Sequence, residues 1–272
     1  MKIGIVYLTG TGSTSIFASE IALGFRELSH TVVLGRFEKI TQDQWIDCDL
    51  IGFGTPTYSY QTPRLFLRFL RKLPIINKPY FLFCTCGGQP GNTLWSMYKI
   101  LQKKHGIYLG GIIGRGPNNI RAWRPKLTQS PPFNDGLNDS DIAKARDFST
   151  LMLKQFDEII TKHTRSPNKE FPNLLCSLLT PFISQRWEMA MVEGIKQVDV
   201  SKCTACGLCA KKICPSGAIT LDDQNHPLFN QNICIGCSGC VNLCPTLAIW
   251  TKAGISKHPY TTYSKYVLNP PK

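Results

Sequence analysis

The first half of the chain alternates between two hydrophobic rhythms. Residues 2–8 alternate apolar and small side chains, and the stretch from Ile16 to Leu28 repeats its apolar positions with helical period. Thr31 to Phe37 and Asp49 to Gly54 read as second and third strands, with a helix following over about Pro63 to Leu73. Tyr80 to Cys84 gives a fourth strand, Thr93 to about His105 a helix, Tyr108 to Gly114 a fifth strand, and Asp139 to about His163 a last helix. Strands that alternate with helices predict an α/β domain over residues 1–165, a doubly wound parallel sheet of five strands with its ligand loops at the strand carboxyl ends. The loops after strands one, three and four are the ones rich in Gly, Thr and Tyr.

After Ser166-Pro167-Asn168 the pattern changes. Residues 166–192 read as a linker in which Phe171, Leu174, Leu175, Leu178, Leu179, Phe182 and Ile183 form an apolar stripe of helical spacing, ended or kinked by Pro181. The stripe suits a helix docked on one of the domains; the other reading is a surface that meets a membrane or a partner. From 193 to 252 cysteine replaces apolar periodicity, and residues 253–272 form a polar and aromatic tail.

Eight of the twelve cysteines fall into two near-copies of one pattern. Cys203, Cys206, Cys209 and Cys214-Pro215 make the first run, and Cys234, Cys237, Cys240 and Cys244-Pro245 the second. Three thiolates at i, i+3 and i+6 on a tight loop reach three irons of one cubane, and the cysteine before proline ligates the opposite cluster. The assignment is therefore Cys203, Cys206, Cys209 and Cys244 for one [4Fe-4S] cluster, and Cys234, Cys237, Cys240 and Cys214 for the other. Zinc favours two separated C-x2-C pairs, and a disulfide scaffold needs an oxidising compartment that no secretory signal supports. The first run carries one extra residue between Cys209 and Cys214, which should bend the exit of the loop more than it disturbs a cluster. Ser216-Gly217-Ala218-Ile219 echoes Thr246-Leu247-Ala248-Ile249, so loop, helical turn and strand are duplicated. The segment from Glu193 to Lys252 resembles the bacterial two-cluster ferredoxins, which implies a small α+β domain.

Thr9-Gly10-Thr11-Gly12-Ser13-Thr14 joins a strand to a helix, as a phosphate cradle does. A Walker loop would need a lysine, and a dinucleotide fingerprint a third glycine or alanine where Ser15 stands and an acid where Val32 and Val33 lie. Four hydroxyls without an acid suit a terminal phosphate monoester, although a tight strand-helix turn with no ligand reads the same way. The loop resembles the FMN phosphate loop of flavodoxins, and residues 1–165 resemble a short-chain flavodoxin. By that resemblance Thr55, Pro56, Thr57 and Tyr58 flank the flavin, with Tyr58 stacking on it, and Thr85, Cys86, Gly87 and Gly88 offer N–H groups to its polar edge. Flavodoxins are typically acidic and often carry an aromatic ring after strand four; this chain is basic and has none there.

The formal charge is +13, or roughly +9 once each cluster site contributes about −2. The lysines and arginines are scattered without a nucleic-acid motif, so an acidic redox partner protein fits better than nucleic acid. Five histidines show no ligand spacing. Cys84 and Cys86 read either as a reactive pair or as small buried apolar residues, the commoner use. No apolar run of membrane-spanning length and no signal peptide point to a cytoplasmic protein, at most peripheral to a membrane. The resemblances imply an anaerobe's electron carrier or reductase component that joins clusters to FMN. Two other readings stay open: a flavoenzyme that reduces a quinone or haem precursor, with a pocket built by Pro117 to Asn138, and a ferredoxin with a flavin-free docking domain. A ferredoxin module tethered in the chain should cover the open flavin edge near Cys86 to Gly88, with Trp187 as a candidate covering residue.

Overall fold

Leu50–Pro56 and Pro79–Cys86 are buried at every position, as strands must be when both faces of a sheet are covered. They are β3 and β4 of a five-stranded sheet with Lys2–Tyr7 (β1), Thr31–Arg36 (β2) and Ile107–Arg115 (β5). The order is β2-β1-β3-β4-β5 and every pairing is parallel. That order is the flavodoxin-like member of the doubly wound folds, with its switch point between β1 and β3. The computed structural model describes residues 1–116, 137, 139–161 and 194–252. Most of the Pro117 to Asn138 insert, the apolar stripe, Trp187, Cys176 and the tail after Lys252 lie outside the described residues.

Ser13–Glu27 (α1) and Asp139–Phe156 (α5) cover one face, where Phe17, Phe25, Phe81, Phe83 and Phe148 form the core. Arg64–Lys72 (α3) and Thr93–Gln102 (α4) cover the other, around Phe53, Phe66, Leu82 and Met97. The short helix Gln42–Trp45 (α2), which the sequence reading passed over, is fixed by a capping box between Thr41 and Gln44 and buries Trp45. The last helix is α-helical only to Phe156 and continues as a π-helical turn, Asp157–Thr161. Gly52 and Gly54 pair with Phe81 and Phe83, whose rings lie where a Cβ would stand, 2.3 Å and 2.0 Å away. The two glycines thus make room for the aromatic layer under α1.

Residues 194–252 form a second small unit. Gln197–Val198 (β6) pairs antiparallel with Ile249–Trp250 (β9), and Ile219–Leu221 (β7) with Pro227–Phe229 (β8). The duplication holds in the backbone: left-handed residues occur at Ala205, Gly207 and Gly217 in the first half and at the matching Gly236, Ser238 and Leu247 in the second. The halves differ where the extra residue sits. Gly239–Asn242 (α6) is an ordinary α turn, whereas Cys209–Ile213 is a π turn closed by the Cys214 N–H on the Cys209 carbonyl at 3.0 Å. A one-residue insertion is absorbed by widening the turn, so the loop holding the first three cysteines keeps its shape.

The widened turn also makes the contact between the two units. Its last carbonyls, Lys212 and Ile213, have no helical partner, and the Arg36 guanidinium donates to both, at 2.9 Å and 3.4 Å. Glu38 pairs with the same guanidinium, and burial holds its carboxyl above the usual range even against that cation. Ile213 and Leu243 are buried in the core cluster that contains Ile5 and Tyr7.

Substituting Gly54→Ala should destabilise the protein by about 1–3 kcal/mol through overpacking against Phe83, and Phe83→Leu should recover part of that loss. Chemical denaturation of both variants checks it; an unchanged midpoint for Gly54→Ala would contradict the packing.

Candidate functional site

Three glycine-directed turns bring eight cysteines into two groups. Cys203, Cys206, Cys209 and Cys244 line one chamber, floored by Ile213, Ala248 and Ile249. Cys214, Cys234, Cys237 and Cys240 line the other, beside Ile219, Phe229 and Lys196. Each chamber is about 360–370 Å³ including its open mouth. The cysteine before each proline lies with the three of the opposite run. Among the described residues no three Cys, His, Asp or Glu side chains close on a single point as ligands of one metal ion do; the thiols instead surround a space.

Burial pushes the Cys209 thiol up to about 11, and charge repulsion from Cys206, Cys244 and Cys203 adds to the rise. Burial raises Cys240 still more strongly, Cys237, Cys234 and Cys214 add to it, and the Lys196 ammonium opposes it. Four thiolates crowded round one small space repel one another, a cationic core offsets that repulsion, and cysteinyl iron–sulfur cubanes supply one. The donor set of each chamber therefore fits a [4Fe-4S] cluster.

The chambers differ in what surrounds them. Cys206 is exposed and Cys203 half-buried, with Lys211 and Lys212 exposed nearby in sequence, so the first chamber faces solvent. Cys237 and Cys240 are buried, and Ile235 packs against the core of the sheet domain. A further repeated feature follows each Cys-Pro. The Ser216 hydroxyl lies 3.5 Å from the Cys214 sulfur and the Thr246 hydroxyl 3.7 Å from that of Cys244.

The hydroxyl-rich loop lies at the carboxyl end of β1, as expected, and its neighbours are the loops after β3 and β4. Thr9, Thr11, Ser13 and Thr14 are all buried. Thr9 Oγ1 accepts the Gly12 N–H at 3.1 Å, and the Thr14 and Thr85 hydroxyls meet at 2.7 Å. Thr57 reaches Thr93 at 2.8 Å and donates its N–H to the Thr85 carbonyl, while Thr55 Oγ1 bonds the Pro56 carbonyl at 3.2 Å. Tyr58 opens a hairpin turn with Gln61 in which Ser59 and Tyr60 are both left-handed, a type I′ turn. Its hydroxyl leans onto Gly10, where a Cβ would stand 2.5 Å from it. Cys86 donates its thiol to the Gly88 carbonyl at 3.1 Å, and Arg115 Nη1 reaches the same carbonyl at 3.3 Å. Burial raises the thiols of Cys86 and Cys48, and Cys84 is fully buried, so these three pack as small apolar groups.

The glycines and hydroxyls are those a phosphate monoester would use; here Thr9 accepts the Gly12 N–H and Thr14 bonds Thr85. Among the described residues the iron–sulfur unit meets the phosphate loop at Gly10. Arg36, Arg115 and the hydroxyls of Ser216 and Thr246 escaped the sequence reading. The repeated Ser/Thr two residues after each cysteine could have revealed the last pair; a lone arginine ending a strand gives no such signal.

Residues 202–249 match the family model of the 4Fe-4S dicluster domain. A search of curated proteins found no match. Among solved structures, a flavodoxin from the domain Archaea is 17% identical, covering 57% of this chain and 99% of its own, with a TM-score of 0.45. Oxidised Flavodoxin 2 from Bacillus cereus is 19% identical over 57% of this chain and 100% of its own, with a TM-score of 0.43. Two-electron reduced flavodoxin of Megasphaera elsdenii is 20% identical over 56% and 98%, with a TM-score of 0.42. Strand order on one side and the family model on the other define the chain: a flavodoxin-like α/β domain fused to an iron–sulfur, ferredoxin-like domain. No helix among the described residues is long and apolar enough to cross a membrane.

Removing one post-proline hydroxyl should act on one chamber only. A hydrogen bond to a cluster sulfur stabilises the reduced, more negative state, so Ser216→Ala should lower the potential of the site containing Cys214 by about 20–60 mV, and Thr246→Val that of the site containing Cys244. Spectroelectrochemical titration reads both; equal shifts at both sites would contradict the separation of the quartets.

Proposed function

We propose that the chain is an iron–sulfur electron-transfer protein that carries two [4Fe-4S] clusters and works as an electron carrier or reductase component. The observation that carries this reading is the sorting of the eight thiols into two chambers, each completed by the Cys-Pro cysteine of the other run. When bound, such clusters supply single-electron exchange. The chain's own residues hold the thiolates, keep water from Cys209 and Cys240, and leave Cys206 at the surface. The exposed Cys206 loop, with Lys211 and Lys212 close by, suits an acidic redox protein as partner. FMN is the second proposed cofactor, held through its phosphate by Thr9 to Thr14 when that loop is uncovered. The loop's composition of glycines and hydroxyls, without an acid, supports this.

Anaerobically prepared protein should contain about eight irons and eight sulfides per chain. Cys214→Ala should damage the site formed by Cys234, Cys237 and Cys240 and spare the other, as read by iron content and the paramagnetic spectrum of the reduced protein. Half the iron in the unaltered chain, or bound zinc in its place, would overturn the two-cluster reading; damage at Cys203, Cys206 and Cys209 instead would overturn the crossed ligation.

FMN should bind more tightly than riboflavin, which lacks the phosphate. Thr11→Ala with Thr14→Ala should remove that preference, at about 1.5–3 kcal/mol for each charge-assisted hydrogen bond lost. Flavin fluorescence quenching measures it, and equal affinity for the two flavins would take the phosphate out of this loop.

A further inference from the structure

The closest approach between the two units falls on the phosphate loop. A Cβ on Gly10 would lie 2.7 Å from the Cβ of Cys237, and a Cβ on Gly239 would lie 2.6 Å from the Gly10 carbonyl oxygen. Backbone therefore meets backbone, with the second cysteine loop seated on the first turn of the phosphate cradle. Beneath it Thr14 bonds Thr85 and Gly12 bonds Thr9, so groups that would face a phosphate are closed on one another. Tyr58 and Cys237 converge on Gly10 from two directions. A ligand whose organic part leaves the loop on the Gly10 side meets the Cys237 to Gly239 segment there.

Docking has an anchor at the end of β2 as well as at the loop, where Ile213 lies beside Gly239. Arg36 grips the carbonyls of Lys212 and Ile213, and Ile213 and Leu243 are buried with Ile5 and Tyr7. The contact can therefore be weakened without altering a single residue from Thr9 to Thr14.

We propose that the phosphate loop is a seat used in turn by two occupants, the Cys237 to Gly239 segment of the iron–sulfur domain and the phosphate of FMN. FMN binding displaces the domain, and docking of the domain expels FMN. The proposal rests on the reading that the loop binds FMN. Linkage makes the effect reciprocal: the factor by which docking weakens FMN is the factor by which FMN weakens docking, typically about 5–150-fold for coupled sites.

The test uses the full chain with its clusters, kept anaerobic, and FMN, riboflavin and inorganic phosphate as probes. With saturating FMN, amide hydrogen exchange in residues 208–213 and 237–243 should rise about tenfold, while riboflavin at the same concentration leaves it unchanged. Two variants with their iron content verified, Arg36→Ala/Glu38→Gln and Ile213→Asp, should bind FMN at least about tenfold more tightly than the unaltered chain, with inorganic phosphate competing. If FMN binds all three proteins equally and exchange in those segments does not rise, the shared seat is wrong although the loop still binds FMN. Slower exchange on FMN binding overturns it too. If neither the unaltered chain nor either variant binds FMN, the reading of the loop fails and the shared seat falls with it. The exchange measurement needs no variant, so a substitution that prevents folding does not remove the test.

Discussion

A buried guanidinium holds this molecule in its observed form. Arg36 ends β2 where a solvated cation would be unremarkable, yet it is almost wholly buried and donates to two carbonyls from the other unit. Those carbonyls are the unpaired end of a helical turn, and an arginine is the one side chain that offers several donors in a planar fork while its charge is balanced by Glu38. Burying such an ion has a high desolvation cost, offset here by Glu38 and the two carbonyls at the Nη atoms. The arrangement around it is correspondingly specific. In this orientation Ile213 and Leu243 are buried against the sheet domain, and the second cysteine loop rests on Gly10.

The result is a duplicated module with unequal surroundings. Its two loops share the same pattern of left-handed residues and the same hydroxyl after each Cys-Pro, so their local chemistry is nearly the same. What differs is solvent. One quartet includes an exposed cysteine and the other is pressed against protein, and solvent exposure is among the factors that set cluster potentials. The difference in environment comes from packing alone, with the ligands unchanged.

The fold was legible because its signals were local and redundant. Fully buried runs such as Leu50–Pro56 and Pro79–Cys86 cannot be anything but central strands when helical periods separate them, and a cysteine pattern repeated twice leaves little freedom of assignment. The place of the Thr9 to Thr14 loop between a strand and a helix was equally readable. What covers the loop was not, because contact between Gly10 and Cys237 joins residues more than two hundred positions apart and neither advertises it. Tyr58 illustrates the same limit: the left-handed Ser59 and Tyr60, which bring its hydroxyl to Gly10, carry no sequence signal of that contact. The place of the extra residue was visible between Cys209 and Cys214, but its effect depended on an arginine in another domain.

That extra residue also bears on how such a chain could come to be directional. A gene duplication yields two interchangeable halves, and a particle made of them has no front or back. Widening one turn by a single residue brings two carbonyls of one half to Arg36, a contact its twin does not make among the described residues. The module then holds one quartet toward solvent and the other toward the sheet domain, from a change that touches no ligand and adds no new side-chain chemistry. The insertion works as a polarity mark, and its worth lies in being absent from the other copy.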